Sequence, residues 1–274
     1  MLLRAGDHRY SLLPEHRLIR PFTANAVEHR TSLSKAFDQN LYTGSLGGVM
    51  PLVEVVSAGS ERRAEFSLGG TFYTSLSASE HQFIVTNGDY YVDALFDVQM
   101  DPAFALRLGI GHTSQHLMDD AIEVKGLGHS INYVRDYAQA FVVTDLQAIG
   151  GFVYAGGYYN YTFIIDTHRD GTMDYEVGCE ALNYQISNEV RLYVAADIKW
   201  KGEAGFGTTQ SYQLGVTLTP SLSPGDVITS LVSPETKTTR ALRLALTYQT
   251  GLEERGQFYM HRVNRVSIGL YLDL

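Results

Sequence analysis

The sequence lacks several features that identify common classes of protein. Hydrophobic residues make up 45% of the 274 positions, yet no apolar run approaches the ~20 residues that a membrane-spanning helix requires. The single cysteine, Cys179, has no second thiol with which to form a disulfide or a thiolate metal cluster. We therefore exclude a helical membrane protein and a domain stabilised by internal disulfides.

Positive charge is also scarce. The 21 Lys and Arg residues are outnumbered by 30 Asp and Glu residues, giving a formal net charge of −9, and this balance predicts no nucleic-acid partner. The first residues, MLLRAGDHRYSLLPEH, contain charges and a proline where a secretion signal needs an uninterrupted apolar stretch. This start indicates either a cytoplasmic β protein or numbering that begins after a removed leader.

Strict alternation of apolar and polar residues is the dominant pattern. The last segment is the clearest, with Val266, Ile268, Leu270, Leu272 and Leu274 on one side. The intervening positions are polar or small: Arg265, Ser267, Gly269, Tyr271 and Asp273. Alternate residues of a strand point to opposite faces, so such segments have one apolar face and one mixed, charged face. The mixed rows suit a crowded barrel lumen, and the segments are long enough for the ~9–11 tilted residues with which a strand crosses a bilayer.

Counting these segments predicts an all-β fold, a single antiparallel up-and-down transmembrane β-barrel of about twelve strands. The predicted strands are 27–36, 44–57, 62–74, 88–100, 103–116, 129–144, 148–165, 172–186, 188–201, 206–219, 238–250 and 259–274. The barrel therefore occupies 27–274, and residues 1–26 form an N-terminal periplasmic or lumenal extension. Short turns and longer loops alternate, as bacterial outer-membrane barrels require. The exception is the stretch 220–237, for which we predict a short helix or plug.

Two polar residues stand on an apolar row of the fifth predicted strand. Phe104, Leu106, Leu108 and Ile110 are followed at the same spacing by His112 and Ser114. A serine hydroxyl becomes a nucleophile when an imidazole takes its proton, and a third group commonly fixes the imidazole. Asn132 and Asp136, on the next strand, are candidates for that third group. The alternative is a hydrogen-bonded pair that anchors the neighbouring loop at the bilayer interface, and the pattern favours it over a catalytic pair.

The His-x-Ser arrangement resembles that of outer-membrane phospholipase A, a twelve-stranded barrel with its catalytic residues on the lipid-facing side. The resemblance implies that Ser114 is the nucleophile, His112 the base and Asn132 the orienting residue. The sequence departs from that enzyme in having Gln115-His116, and not Asn-Gly, after the serine. Lipid A deacylases also use His-x-Ser with an acidic partner, a role for which Glu123 or Asp136 is available.

Most of the chain resembles a family of bacterial outer-membrane proteins that carry a domain of unknown function. Their pattern His-x-Ser-Ser-His-Leu-Gly-Asp-Glu is matched by HTSQHLMDD at 112–120, with Gln115 and Met118 as departures. Their Asn-Tyr-x-Arg-Glu-like element is matched by NYVRD at 132–136, and GQFY at 256–259 also fits. This resemblance implies the barrel fold and the outer-membrane location, and it implies no activity.

Acidic residues follow the motif in the predicted external loop. Carboxylate oxygens are the ligands that hard cations prefer, so Asp119, Asp120 and Glu123, beside His116, form a candidate Ca²⁺ site. A solvated acidic loop is the alternative, and no other cofactor is expected.

These observations predict an integral protein of the outer membrane of a Gram-negative bacterium, possessing a candidate serine acyl hydrolase site for phospholipid or lipid A. Membrane lipids, with lipopolysaccharide on the outer face, are the expected partners, and a protein partner stays open. The alternative is a non-enzymatic barrel, either a structural or partner-binding protein or a narrow channel.

Overall fold

The computed structural model describes residues 2–5, 8–57, 62–79, 82–128, 130–146, 148, 150–165, 168–169, 172–187, 190–218 and 241–274. In these ranges the strands are β1 (Leu2–Ala5), β2 (His8–Leu12), β3 (Thr31–Ala36), β4 (Leu41–Ser57), β5 (Arg63–Ala78), β6 (Phe83–Asp101), β7 (Phe104–Leu117), β8 (Tyr133–Leu146), β9 (Gly151–Ile165), β10 (His168–Arg169), β11 (Thr172–Gln185), β12 (Arg191–Lys201), β13 (Gly207–Thr217), β14 (Ala241–Leu252) and β15 (Arg262–Asp273). A short helix, α1 (Asp119–Glu123), and 3-10 turns at Gly202–Ala204 and Gly256–Phe258 lie between strands. No helix in the described part of the chain is long and apolar enough to span a membrane.

Twelve of these strands form a closed antiparallel barrel. The wall runs β3, β4, β5, β6, β7, β8, β9, β11, β12, β13, β14 and β15, and β15 pairs with β3 to close the ring. The two-residue β10 extends β9, while β1 and β2 form a hairpin that pairs with the end of β4. The predicted twelve-stranded antiparallel barrel is therefore confirmed.

The barrel has two dissimilar ends. One end contains α1 and the connections after β5, β7, β9, β12 and β14, and we call it the upper end. The opposite end is the lower end. The wall begins at Thr31 and not at residue 27, and the predicted loop at 75–87 is mostly strand, since β5 and β6 extend to Ala78 and from Phe83. The plug or helix predicted at 220–237 lies outside the described residues.

Side chains follow the alternation in the sequence. On β7, Arg107 and Gln115 point inward and are buried, whereas Leu108 and Ile110 point outward and are exposed. Large apolar side chains are likewise exposed around the outside of the wall, including Leu46, Phe96, Val142, Leu214, Leu246 and Ile268. Water alone does not favour such a surface, whereas lipid does.

The lower half of the lumen contains the N-terminal segment, residues 14–30. Leu18, Ile19 and Phe22 are almost fully buried. They pack against inward side chains of the wall: Ala105, Phe141, Val143, Phe152 and Tyr154. The ring of Phe22 stacks on that of Tyr154, with centroids 3.8 Å apart. The barrel thus has its apolar core inside the lumen.

Polar contacts also hold this segment to the wall. The amide of Leu18 donates to Glu65 Oε2 at 2.9 Å, and Asn25 Nδ2 donates to Glu176 Oε1 at 2.8 Å. His29 contacts Asp93 through Nε2 at 2.5 Å and Thr71 through Nδ1 at 2.9 Å. Because each buried polar atom needs a partner, these contacts make the segment part of the folded barrel.

The upper end of the lumen is occupied by the connection between β14 and β15, residues 253–261, which we call the upper loop. Glu254 accepts a hydrogen bond from Lys199 Nζ at 2.7 Å, and Glu253 accepts one from Arg255 Nη2 at 2.7 Å. A cavity of about 80 Å³ lies between this loop and the N-terminal segment, with Asn25 and Arg30 among its lining residues. Two separate parts of the chain therefore fill the lumen.

Candidate functional site

The polar residues of the motif lie on the outside of the barrel. On β7, His112 and His116 are exposed and Ser114 is partly exposed, whereas their neighbours Thr113 and Gln115 are buried. This division follows from the unbroken strand, since β7 runs from Phe104 to Leu117. The apolar row that begins at Phe104 therefore ends in three polar side chains.

The register of β7 and β8 brings Asp136 to this row. His112 pairs directly with Asp136, and Ser114 pairs with Val134. Asp136 Oδ1 lies 2.7 Å from His112 Nδ1. A carboxylate in this position accepts the Nδ1 proton and so fixes the orientation of the imidazole. The interstrand pair is thus one half of the arrangement that serine hydrolases use.

Ser114 contacts the other histidine. Its Oγ lies 2.7 Å from His116 Nε2, a distance suited to a hydroxyl that donates to an imidazole. The sequence predicted His112 for this contact because of its position before the serine. Residues i−2 and i+2 are equally near on a strand, so His116 had the same spacing signal and was considered only as a possible metal ligand.

Asn132, the orienting residue implied by the phospholipase resemblance, is exposed and lies just before β8. The last pair between β7 and β8 joins Gln115 to Tyr133. His116 and Asn132 each stand one position beyond that pair, at the point where the two strands separate. Of the four predicted catalytic residues, the structure joins His112 to Asp136 and places Ser114 two residues away on the same row.

Aromatic side chains surround the site at the same height. Tyr90 of β6 is the direct partner of Ser114, and its ring centroid lies 6.1 Å from that of His116. The ring of Phe72 lies 4.9 Å from Tyr90. Other exposed aromatic residues in the upper half of the wall include Tyr159, Tyr161, Tyr175 and Phe206. These side chains form an aromatic girdle, and tyrosine is enriched where apolar lipid meets headgroups.

The candidate Ca²⁺ residues belong to α1. Asp119 and Asp120 occupy its first turn, and Asp120 Oδ2 accepts a hydrogen bond from the amide of Val85 at 3.0 Å. Glu123 is the last residue of the helix and is exposed. Among the described residues, no group of three or more His, Cys, Asp and Glu side chains is arranged to hold a metal ion. The Ca²⁺ site stays a prediction.

The row contains the types of side chain that serine-based acyl transfer uses. A hydroxyl lies in the middle of this row. One imidazole is placed to accept its proton, and a carboxylate holds the second imidazole. Each of these groups is on the outside of the barrel, where a lipid can approach without entering the lumen.

Comparison with known proteins identifies the family and a set of barrels. A family model described as "Protein of unknown function (DUF1207)" matches residues 9–273. The comparison with curated proteins finds no match.

Among solved structures, the chain is similar to the translocator domain of autotransporter NalP from Neisseria meningitidis, at 10% identity and a TM-score of 0.35, covering 99% of this chain and 90% of that one. It is similar to Pseudomonas aeruginosa OprD at 8% identity and a TM-score of 0.31, covering 99% and 77%. The outer membrane protein opdK of Pseudomonas aeruginosa matches at 10% identity and a TM-score of 0.29, covering 99% and 77%.

Proposed function

The chain belongs to the DUF1207 family of proteins of unknown function, and we propose that it is an outer-membrane acyl hydrolase that cleaves lipid esters with Ser114 as nucleophile. The observation that carries the proposal is the 2.7 Å contact between Ser114 Oγ and His116 Nε2 on the outward face of β7. A core-facing pair of this kind would be a buried hydrogen bond without access to substrate. An outward-facing pair is accessible to lipid.

The outer surface of the wall supports the membrane location. Apolar side chains are exposed on β4, β6, β8, β13, β14 and β15, and a closed antiparallel barrel leaves no unpaired backbone within a bilayer. We propose the outer membrane of a Gram-negative bacterium, with the upper end external. The girdle around Tyr90 supports a position of Ser114 near the headgroups of the outer leaflet, where phospholipid or the lipid A of lipopolysaccharide presents its ester carbonyls.

The proposed reaction proceeds through an acyl-enzyme. Ser114 Oγ attacks the ester carbonyl carbon while His116 Nε2 takes the hydroxyl proton, and a tetrahedral intermediate forms. Its collapse breaks the ester bond, and His116 returns the proton to the departing alcohol. Water then attacks the acyl-serine in the same way, giving a fatty acid and restoring the Ser114 hydroxyl.

The second imidazole has a separate role. His112, held through Nδ1 by Asp136, lies on the same outward row as Ser114, two positions before it and opposite to His116 in the chain. An imidazole fixed by a carboxylate is stabilised when it carries positive charge. We infer that this pair stabilises negative charge that develops on the substrate during the attack.

The contents of the lumen argue against the channel alternative. The N-terminal segment packs an apolar cluster around Leu18 and Phe22 inside the wall, and the upper loop holds buried ion pairs at the other end. A channel needs a continuous aqueous path for ions through the lumen. A hydrolase that acts on the outside of the barrel needs no such path.

The test is a hydrolysis assay on purified protein. The protein is reconstituted with phospholipid or lipid A, with and without Ca²⁺, and released fatty acid is measured. We expect hydrolysis of at least one lipid class and its loss in Ser114→Ala, with Ser267→Ala, a lumenal serine, as the control. If neither lipid releases fatty acid, with or without Ca²⁺, the proposal is contradicted. The two pairs, His112 with Asp136 and Ser114 with His116, are then interfacial anchors.

A further inference from the structure

We propose that Gln257 of the upper loop is a positioning residue, which fixes the site from inside the barrel by bridging β7 to the residues before β8. This inference rests on the proposed function of the site. It also gives a role to the GQFY pattern at 256–259, which the reaction itself does not use.

The bridge lies where β7 and β8 separate. Beyond the pair of Gln115 and Tyr133 the two strands share no further ladder pair. At this point the side-chain amide of Gln257 donates to the carbonyl of Gln115 at 2.6 Å and to that of Ile131 at 2.8 Å. Its Oε1 accepts from the amide of Ile131 at 3.2 Å. One side chain thus supplies the hydrogen bonds that the next step of the ladder would have made.

The bridged backbone is that of the candidate site. Gln115 stands between Ser114 and His116, so its carbonyl belongs to the segment that sets the distance between their side chains. Ile131 directly precedes Asn132. A shift of Gln115 relative to Ile131 therefore changes the positions of the outward row, although Gln257 itself is in the lumen and does not touch it.

The side chain of Gln115 is held as firmly as its backbone. It is 1% exposed, its Nε2 donates to Tyr91 Oη at 2.6 Å, and its Oε1 accepts from the amide of Gly256. Gly256 itself lies so close to Gln115 Oε1 and to the ring of Tyr133 that a Cβ atom has no room. The upper loop and β7 are therefore in contact through both backbone and side chain.

The loop that presents Gln257 is itself anchored. Glu254 binds Lys199, and Glu253 binds Arg255 within the loop and Arg265 of β15. These ion pairs are buried, so removing one partner leaves an uncompensated charge. Because the upper loop is anchored, its hydrogen bonds to Gln115 can restrain the position of β7. A mobile loop would move together with the strand.

The experiment compares Gln257→Ala with the control Gln213→Ala, which removes another buried lumenal glutamine that bonds to Tyr193 and Arg243 instead. Three quantities are measured: amide exchange at Ile131, the ¹⁵N signal of His116 Nε2, and kcat and KM for lipid hydrolysis. The His116 signal reports the hydrogen bond from Ser114. Gln257→Glu, which keeps the acceptor oxygen and loses the amide donor, serves if the alanine variant does not form the barrel.

In Gln257→Ala we expect faster exchange at Ile131, a shifted His116 signal and a kcat reduced up to ~100-fold with KM little changed, because misplacement by ~1 Å has effects of this size. Gln213→Ala should leave all three at their wild-type values. An unchanged His116 signal overturns the inference, whatever happens to exchange or kcat. If the wild-type protein hydrolyses no lipid, the proposed function fails, while the exchange and His116 measurements still decide whether Gln257 positions the row.

Discussion

Three polar side chains share the outward row at the upper end of β7, and they form two different pairs. Ser114 contacts His116, and His112 contacts Asp136 of the neighbouring strand. Both distances are 2.7 Å, yet only the first involves a hydroxyl that can attack an ester. We therefore propose His116 as the base because it contacts Ser114, and not because of the order of the residues in the motif.

Substitution of the two histidines separates their roles. We expect His116→Gln to lower kcat for lipid hydrolysis by about 10² to 10⁴, because a glutamine can accept a hydrogen bond but cannot take the proton. His112→Gln should have the smaller effect, since His112 does not contact Ser114. Initial rates at saturating lipid measure both. The reverse order of the two effects contradicts the assignment and favours His112 as the base, as the phospholipase resemblance implies.

The alternation in the sequence was sufficient to place this row. It put His112 and Ser114 on the outward face and Asp136 at the same height, while it left the face of Asp136 open; the structure places Asp136 beside His112. It did not identify Gln115 or Gln257 because they are 142 positions apart in the chain and make hydrogen bonds without any periodic signal. The choice between His112 and His116 also needed side-chain rotamers, which the strand period does not specify.

Among the elements of the fold, the N-terminal segment differs most in its sequence pattern from the strands of the wall. Its sequence has no strand period. Leu18, Ile19 and Phe22 have the i, i+1, i+4 spacing of a helix face, yet residues 14–30 form no helix in the structure. The placement of this segment depends on lumenal residues from several strands, such as Phe141 of β8 and Tyr154 of β9. The local sequence pattern is therefore compatible with both a periplasmic and a lumenal position of the N-terminal residues.

Removing the ring of Phe22 tests the contribution of the segment to stability. The ring is 3% exposed, stacks on Tyr154 and lies 5.3 Å below the guanidinium of Arg107. We expect Phe22→Ala to lower the free energy of unfolding by ~3–5 kcal/mol, as large-to-small changes in a core do. Denaturant titration of the reconstituted barrel measures it. Phe96→Ala, on the outward face of β6, is the control, and an equal loss in both variants would contradict a packed lumen.

The upper loop should respond to acid. Burial alone would raise the pKa of Glu253, but Arg255 and Arg265 hold that pKa below its usual value. A carboxylate with a lowered folded-state pKa contributes stability above its unfolded pKa of ~4.3, and the contribution is lost as the pH falls through the lower, folded-state value. The same sign applies to Glu254, for which burial is opposed by Lys199 and Lys201.

We therefore expect amide protection in residues 254–258 to be constant near neutral pH and to decrease at strongly acidic pH. Hydrogen exchange corrected for intrinsic rates measures it. In Glu253→Gln the Glu253 contribution should be absent at every pH. Protection that increases on acidification would contradict the ion-pair account of the loop.

The whole barrel has its packed apolar core inside the lumen and the polar row of the candidate site on its outer surface. The N-terminal segment and the upper loop meet across a small polar cavity, while the apolar outer surface has a polar site at one edge. The fold class and the number of strands were predictable from the alternation, because each segment repeats one pattern. The strand ends were less predictable, since β5 extends to Ala78 and β6 begins at Phe83, inside the stretch 75–87 that was predicted as a loop between two strands.

A filled lumen predicts little ion flow. In planar bilayers we expect no sustained conductance from the wild-type protein, because its described interior contains packed side chains and ion pairs in place of a continuous aqueous path. A matched recording of an open porin of known conductance serves as the positive control. Stable, reproducible single-channel steps from the pure protein would contradict the filled lumen and revive the channel alternative.

Whether Ser114 is a nucleophile is tested by covalent labelling of the reconstituted protein with a lipid-like fluorophosphonate, followed by mass spectrometry of the labelled peptide. We expect an adduct on Ser114 in the wild-type protein, loss of that adduct in Ser114→Ala, and much slower labelling in His116→Gln. Absence of an adduct on Ser114, or the same labelling rate in His116→Gln as in the wild type, would contradict the proposal.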